Sequence, residues 1–317
     1  MENSRIIFMG TPTFAKEVLQ HLIDLDFNIV ATVSQPDRPI GRKRVMTKTP
    51  VKELSVNRGI DCIQPNKISD GVKEILSYKP DIIITCAYGQ IIPNSILDYP
   101  KYGAFNIHAS LLPKLRGGAP IHKALMYNES ETGITIMEMS EKMDEGDMIF
   151  KNKIKISESH TTKTLSKDLI ELAKEAIEKT LPSLLNQDYK AEAQDHSLAT
   201  YAYNISKEEE FISFDKTYDL VDRYIRSLID RPVGYGIIDG NKIKIHGVKR
   251  SDIKKEAENG TLVGLVEDGM GVVVENRILV LTKVQPAGRQ VMEARDFMNG
   301  LGQSLIGKKF EWNGHPN

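Results

Sequence analysis

The chain is poor in cysteine, in net charge and in long apolar runs, and each shortage removes a class of protein. Only Cys62 and Cys86 occur in 317 residues, with no spacing that suits a metal. Cys86 lies in an apolar run, where a cysteine behaves as a small reduced hydrophobe, so a reducing compartment is expected. The formal net charge is −1, so any signal for a polyanionic partner must be local. No apolar run approaches the roughly 18 residues of a membrane span. Ile6 to Met9 is too short for the apolar core of a secretion signal. A cytoplasmic protein with no membrane association is expected. The turn Gly10-Thr-Pro lacks G-x-G-x-x-G, and no Walker lysine follows, so a nicotinamide or nucleotide-triphosphate site is unsupported. There is no internal repeat and no low-complexity tract.

The length suits two domains. Apolar runs at Arg5 to Met9, Asn28 to Ser34, Asp81 to Cys86 and Gly103 to Ile107 alternate with helical patterns. Asp81 to Cys86 is β-branched and almost wholly apolar, as expected for a parallel strand covered on both faces. The alternation predicts an α/β domain with a doubly wound, mostly parallel sheet. Ligands of such sheets bind at the carboxyl ends of the strands. Thr132 to Met139 and Lys151 to Ile156 alternate as strands, and Thr161 to Leu185 carries one apolar helical stripe. Asn186 to Lys207 is polar and weakly periodic, with Thr200-Tyr-Ala-Tyr as a possible anchor. Beyond it, a helix at Thr217 to Ile229 precedes five short strands, which suggest a small barrel of oligonucleotide-binding (OB-like) type. The expected domains are 1–189, a linker at 190–207, and 208–317.

The chemistry concentrates at Asn106-Ile-His-Ala-Ser-Leu-Leu-Pro-Lys-Leu-Arg-Gly-Gly118. Asn106 and His108 are two apart at a strand end, so they point to one side, about 7 Å from each other. A carboxamide can donate to a developing charge, and an imidazole can carry a proton. A lone histidine on a strand is more often structural than catalytic. Metal binding is disfavoured, because His108 and His122 are too far apart on the chain to be neighbours on one element. Ser110 lacks the G-x-S-x-G elbow of a nucleophile. Gln35 to Val51 reads as a loop, with three prolines and a glycine. Between Arg38 and Lys52 stand Arg38, Arg42, Lys43, Arg44, Lys48 and Lys52 with no acid among them, which makes either a solvated loop or a phosphate clamp. Tyr88, after the Asp81 to Cys86 strand, suits packing as well as ligand contact. Lys242, Lys244, His246, Lys249 and Arg250 could meet RNA or simply face water.

The Asn-x-His-x-Ser-Leu-Leu-Pro and Arg-Gly pattern resembles the signature of the folate-dependent formyltransferases. Met143-Asp-Glu-Gly-Asp147 resembles their second block, aliphatic-Asp-x-Gly-Asp. The resemblance implies Asn106, His108 and Asp144 as catalytic residues, 10-formyltetrahydrofolate as formyl donor, and no metal. It also implies folate contacts at Ser110, Leu111, Leu112 and Pro113, and at the loop carrying Tyr88 and Gly89. The Gln-Pro-Asp-Arg-Pro-x-Gly-Arg loop is similar to the one that methionyl-tRNA formyltransferases insert after their second strand. That likeness assigns Arg42, Lys43 and Arg44 to the acceptor end of initiator methionyl-tRNA. Gln285 to Phe297 resembles the family's carboxyl-terminal block, so the likeness spans nearly the whole chain. The expected activity is formylation of the methionyl α-amine by a monomeric enzyme. Rivals are a sugar-amine formyltransferase, a formyltetrahydrofolate hydrolase and an inactive RNA-binding homologue.

Overall fold

In the computed structural model, which describes residues 4–41 and 43–312, β1 (Ile6–Gly10), α1 (Thr13–Asp24) and β2 (Ile29–Val33) come first. A ribbon of β3 (Arg38–Ile40) and β4 (Val45–Thr47) follows. Next come α2 (Pro50–Arg58), β5 (Cys62–Ile63), α3 (Val72–Ser77), β6 (Ile82–Cys86), α4 (Asn94–Leu97) and β7 (Ala104–His108). They lead to α5 (Pro120–Met126), β8 (Glu131–Glu138), β9 (Met148–Lys155) and α6 (Thr162–Leu185). The chain divides into two compact units. The first runs to Pro120 and takes in Glu131–Lys155 and Ser166–Tyr203. The second is built from Ile121–Ser130, Ile156–Leu165 and the chain from Asn204 onward.

The first unit holds a seven-stranded sheet in the order β5-β2-β1-β6-β7-β8-β9. The pairs from β5 to β7 are parallel, and β8 and β9 add an antiparallel edge. β1 and β6 are buried along their whole length, which explains their unbroken apolar sequences. α1 buries Phe14, Ala15, Val18, Leu19 and Leu22, spaced three and four apart on one face. α6 runs alongside it, with His21 and Glu178 3.0 Å apart. Thr49 caps α2 by accepting from the Lys52 amide, Pro50 opens it, and Gly59 ends it at φ 69°. The winding reverses between β1 and β6, so a crevice forms at their carboxyl ends, beside that of β7.

Two sequence readings need correction here. Gln35 to Val51 is not wholly a loop, because β3 and β4 pair from Arg38↔Thr47 to Ile40↔Val45. An isolated two-stranded ribbon is all edge, so Pro39 can sit in it without breaking an inner ladder. β9 starts at Met148, ahead of the expected Lys151, because Met148-Ile-Phe pairs with β8 before polar alternation begins.

In the second unit, α7 (Tyr218–Ser227) is capped by Thr217 and buries Tyr218, Val221 and Ile225. β10 (Tyr235–Ile238), β11 (Asn241–Lys254), β12 (Leu262–Val266), β13 (Gly269–Val274) and β14 (Arg277–Pro286) form an antiparallel sheet in the order β10-β11-β14-β13-β12. β15 (Met292–Glu293) pairs with β14, and α8 (Ala294–Met298) follows. Lys308 to Glu311 bridges the two edges. Leu262 donates to Lys308 O at 2.9 Å, and Glu311 donates to Ile237 O at 2.7 Å. That segment closes the sheet into the expected small barrel. β11 runs past its expected end at Val248, because register shifts around Gly247 bend it and let pairing with β14 resume.

Candidate active site

β7 delivers Asn106 and His108 to the carboxyl edge of the parallel sheet. Asn106 is a register partner of Thr85 on β6 and of Met137 on β8; His108 pairs with Thr135 on β8. The hairpin from β8 to β9 returns over them. Within it, Glu138 donates to Asp147 O at 2.9 Å, and Asp144 has φ 54°. Gly146 is required for this closure, since a Cβ there would lie 1.9 Å from Glu138 O.

The result is a convergence. Asp144 Oδ1 accepts from Asn106 Nδ2 at 3.3 Å, and its Oδ2 accepts from the Gly117 amide at 2.8 Å. His108 Nδ1 lies 3.6 Å from Asp144 Oδ2. His108 Nε2 donates to Leu115 O at 2.9 Å. A carbonyl only accepts, so Nε2 carries a hydrogen and Nδ1 is the nitrogen turned to the carboxylate. The Asn106 amide is oriented in the same way. A carboxylate only accepts, so Nδ2 faces Asp144, and Oδ1 accepts from Thr85 Oγ1 at 2.8 Å. His108 and Ser110 are buried, and Asn106 is half-buried. A cavity of about 410 Å³ adjoins the hairpin, lined among others by Asn94, Leu97, Met139, Ser140, Glu141 and Lys142.

The chain after β7 is folded back on itself. Ser110 Oγ donates to Lys114 O at 2.7 Å, and Thr135 Oγ1 donates to Ser110 O at 2.7 Å. The Ser110 and Leu112 side chains are buried, while Leu111 and Pro113 are half-exposed. Gly117 turns at φ 120°, where a Cβ would come 2.8 Å from Ala202 O. Tyr88 packs its ring into the core with Ile7, Met9 and Ile83. Its hydroxyl has no hydrogen-bond partner among the described residues. Burial pushes that phenol up to about 12, with a smaller push from Cys62. Gly89, next to it, is exposed at φ 91°.

Four side chains at this site escaped the sequence reading. Thr85 looked like one more β-branched residue of an apolar strand. Thr135 also sat in an ordinary alternating strand. Arg116 belonged to the Arg-Gly part of the signature but was given no role of its own, yet it is 1 % exposed. Gln194 lay in the supposed linker, yet it is 5 % exposed and donates to Asp144 O at 2.9 Å and Gly146 O at 2.8 Å. The signal that pointed toward that stretch was Thr200-Tyr-Ala-Tyr. Its backbone pairs with the signature, Arg116 donating to Thr200 O at 2.9 Å and Ala119 to Ala202 O at 2.9 Å.

Lys43 and Arg44 are exposed at the turn of the β3–β4 ribbon; Arg42 lies outside the described residues. The foot of the ribbon is fastened. Ser34 Oγ and Thr49 Oγ1 are 2.6 Å apart, and Gln64 Nε2 donates to Asp37 Oδ1 at 2.8 Å. Ile40, Val45 and Met46 are exposed along it. In the second unit, several of the cations that could meet RNA or face water are engaged within the protein. Lys249 pairs with Glu267 at 3.1 Å, Arg250 with Asp222 at 3.0 Å, and Lys242 lies 3.4 Å over the Tyr235 ring. No group of three or more His, Cys, Asp or Glu among the described residues is placed to hold a metal. None of their helices is long and apolar enough to cross a membrane.

Residues 4–181 match the family model described as formyl transferase, and residues 204–302 match that of the formyl transferase C-terminal domain. The methionyl-tRNA formyltransferase of Bacillus licheniformis is 44% identical over 302 residues, covering 94% of this chain and 96% of that protein. The one from Bacillus subtilis is 43% identical over 300 residues, covering 94% and 95%. Among solved structures, HypX from Aquifex aeolicus in complex with tetrahydrofolic acid superposes with a TM-score of 0.69 at 14% identity, over 95% of this chain and 48% of that one. This chain thus spans about half the length of HypX. The N-formyltransferase from Helicobacter canadensis, in complex with folinic acid and dTDP-3-aminofucose, superposes with a TM-score of 0.66 at 18% identity, over 88% and 98%. These two share the fold; the close sequence relatives and the two matched models go further, and by them the chain belongs to the formyl transferase family, among its methionyl-tRNA formyltransferases.

Proposed function

We propose that the chain transfers the formyl group of 10-formyltetrahydrofolate to the α-amine of methionine carried by initiator tRNA. The reading rests chiefly on the convergence of Asn106, His108 and Asp144 at the end of β7. The names of the close relatives support the acceptor, and the folate compounds in the two superposed structures support the donor.

Attack of the amine on the formyl carbon puts negative charge on the formyl oxygen and leaves the amine with a proton to lose; collapse of the adduct then breaks the bond from that carbon to folate N10, which takes up a proton and leaves as tetrahydrofolate. Asn106 Nδ2 has two hydrogens and directs one at Asp144, so the other serves the oxygen. His108 keeps Nε2 on Leu115 O, so Nδ1 is the nitrogen that moves a proton, beside Asp144 Oδ2. Asp144 Oδ2, 3.6 Å from Nδ1, orients that ring as the proton moves. Leu111, Pro113 and the exposed Gly89 backbone offer surface to the folate, with Ser110 and Leu112 shaping the slot from beneath and Tyr88 packing behind it. Arg42, Lys43 and Arg44 hold acceptor-end phosphates. On this reading the enzyme works as a monomer in the cytoplasm. Residues 1–189 carry the chemistry, and 208–317 serve the tRNA.

The test is to incubate the protein with 10-formyltetrahydrofolate and, separately, methionyl initiator tRNA, a nucleotide-sugar amine or buffer alone. Formylation of the methionyl-tRNA is the expected result. Formylation of the sugar amine, or plain release of formate, would replace this reading.

A further inference from the structure

We propose that Gln194, in the stretch that reads as a linker, is a positioning residue that aims the Asp144 carboxylate. The proposal rests on the catalytic reading of Asp144. Gln194 is buried, and all four of its hydrogen-bonding positions are filled. Nε2 donates to Asp144 O at 2.9 Å and to Gly146 O at 2.8 Å. Oε1 accepts from Arg116 Nε at 3.1 Å and Nη2 at 2.7 Å. A guanidinium only donates and a peptide carbonyl only accepts, so the amide has one orientation.

Asp144 sits at φ 54°, a left-handed conformation that aspartate tolerates better than most residues, and the bonds to Asp144 O and Gly146 O fix the peptide units on either side of that turn. The clamp itself is anchored on both sides. Two residues before Gln194, Glu192 and Met148 exchange backbone hydrogen bonds of 2.8 Å each way. Arg116 also reaches Glu145 Oε1 at 3.2 Å and His196 Nδ1 at 2.9 Å, so its buried charge is balanced. One chain of contacts therefore runs from the signature through Arg116 and Gln194 to the peptide units around Asp144. The far end of Asp144 meets Asn106 and the Gly117 amide. Gln194 meets Asp144 only at its backbone oxygen and makes no hydrogen bond to Asn106 or His108, so its effect on turnover is indirect.

The deciding variant is Gln194→Glu. It keeps the size of the side chain and an acceptor for Arg116, but it has no hydrogens for Asp144 O and Gly146 O. We expect a folded protein with a lowered melting temperature, since a carboxylate set against two carbonyls is repelled and both lose their donor, a kcat lower by about a hundredfold, as for a misaimed group, and KM values for folate and tRNA roughly unchanged. The ¹⁵N resonance of His108 Nδ1, recorded at one pH, should shift as the carboxylate leaves it. In the Asp144→Asn background, Gln194→Glu should add no further loss of kcat. Wild-type kcat in Gln194→Glu, an unmoved His108 resonance or full additivity in the double variant would overturn the proposal. Asp144→Asn turning over like the wild type would instead sink the catalytic reading, and the His108 resonance would still report whether Gln194 sets the carboxylate.

Discussion

Thr85 Oγ1 donates to Asn106 Oδ1 at 2.8 Å, between register partners on adjacent parallel strands. The hydroxyl is buried and fixes which way the carboxamide turns. Thr85→Val preserves shape and removes that donor. One net hydrogen bond is worth about 1 kcal/mol, so kcat should fall about five- to tenfold with KM unchanged. Steady-state kinetics decide it; a variant with altered KM and wild-type kcat would show that Thr85 acts elsewhere.

Removing the reacting groups themselves should cost far more. Asn106→Ala should lower kcat by about two to three powers of ten, as loss of one oxyanion donor does. His108→Ala should suppress turnover while leaving the far-ultraviolet dichroism and tRNA binding intact. A histidine that served only packing would show the reverse, a normal kcat in a less stable protein.

The parts of this site that were legible in the sequence are the local ones. Asn106 and His108 are two apart on a strand, and the pleat alone puts both on one side. The alternating pattern of the first half likewise shows the parallel sheet, because each strand's burial is written into its own residues. Gln194 and Asp144 are 50 apart, and nothing local couples them. Gln194 sits in a polar stretch with no regular repeat, so neither strand nor helix periodicity marks it as buried. Arg116 misleads for a related reason, because an arginine suggests surface until its buried partners are known. The β3–β4 ribbon was hidden by its own prolines, which argue against inner strands and say little about edges.

The ribbon makes a prediction about salt. Lys43 and Arg44 are exposed on an element whose foot is tied down, a suitable mount for phosphate contacts. Each cation that neutralises a phosphate adds roughly one to the slope of log affinity against log salt. Arg44→Ala and Lys43→Ala should each raise KM for methionyl-tRNA and flatten that slope, without changing folate affinity. Identical slopes in wild type and variants would remove the ribbon from the tRNA site.

A stability prediction concerns the second unit. Arg226 is almost fully buried and directs Nε and Nη2 at Asp222 Oδ2, at 3.2 and 2.9 Å. Asp222 also accepts from Arg250 Nε at 3.0 Å. Asp222→Ala leaves the buried guanidinium without its carboxylate, a loss of about 3–5 kcal/mol in such pairs. Replacing both partners, Asp222→Leu with Arg226→Met, should recover much of it. Denaturant unfolding measures both; equal midpoints for Asp222→Ala and wild type would mean that the pair does not hold this unit together.

His122 should make stability fall on mild acidification. Its Nε2 donates to Arg231 O at 3.0 Å. Burial pushes its imidazole below the ordinary 6.5, opposed by the Arg231 carbonyl, with Lys123 adding to the fall and Asp230 resisting it. The folded state therefore takes up this proton less readily than the unfolded chain. Between the lowered folded value and 6.5 the unfolded state binds more protons, so stability rises with pH across that window and is lost as pH drops through it. His122→Gln keeps a donor within reach of Arg231 O and cannot titrate. Denaturation midpoints collected from about pH 5 to about pH 8, the range in which histidines titrate, should decline toward acid in the wild type and decline less in the variant. Parallel curves would place the acid sensitivity on some other group.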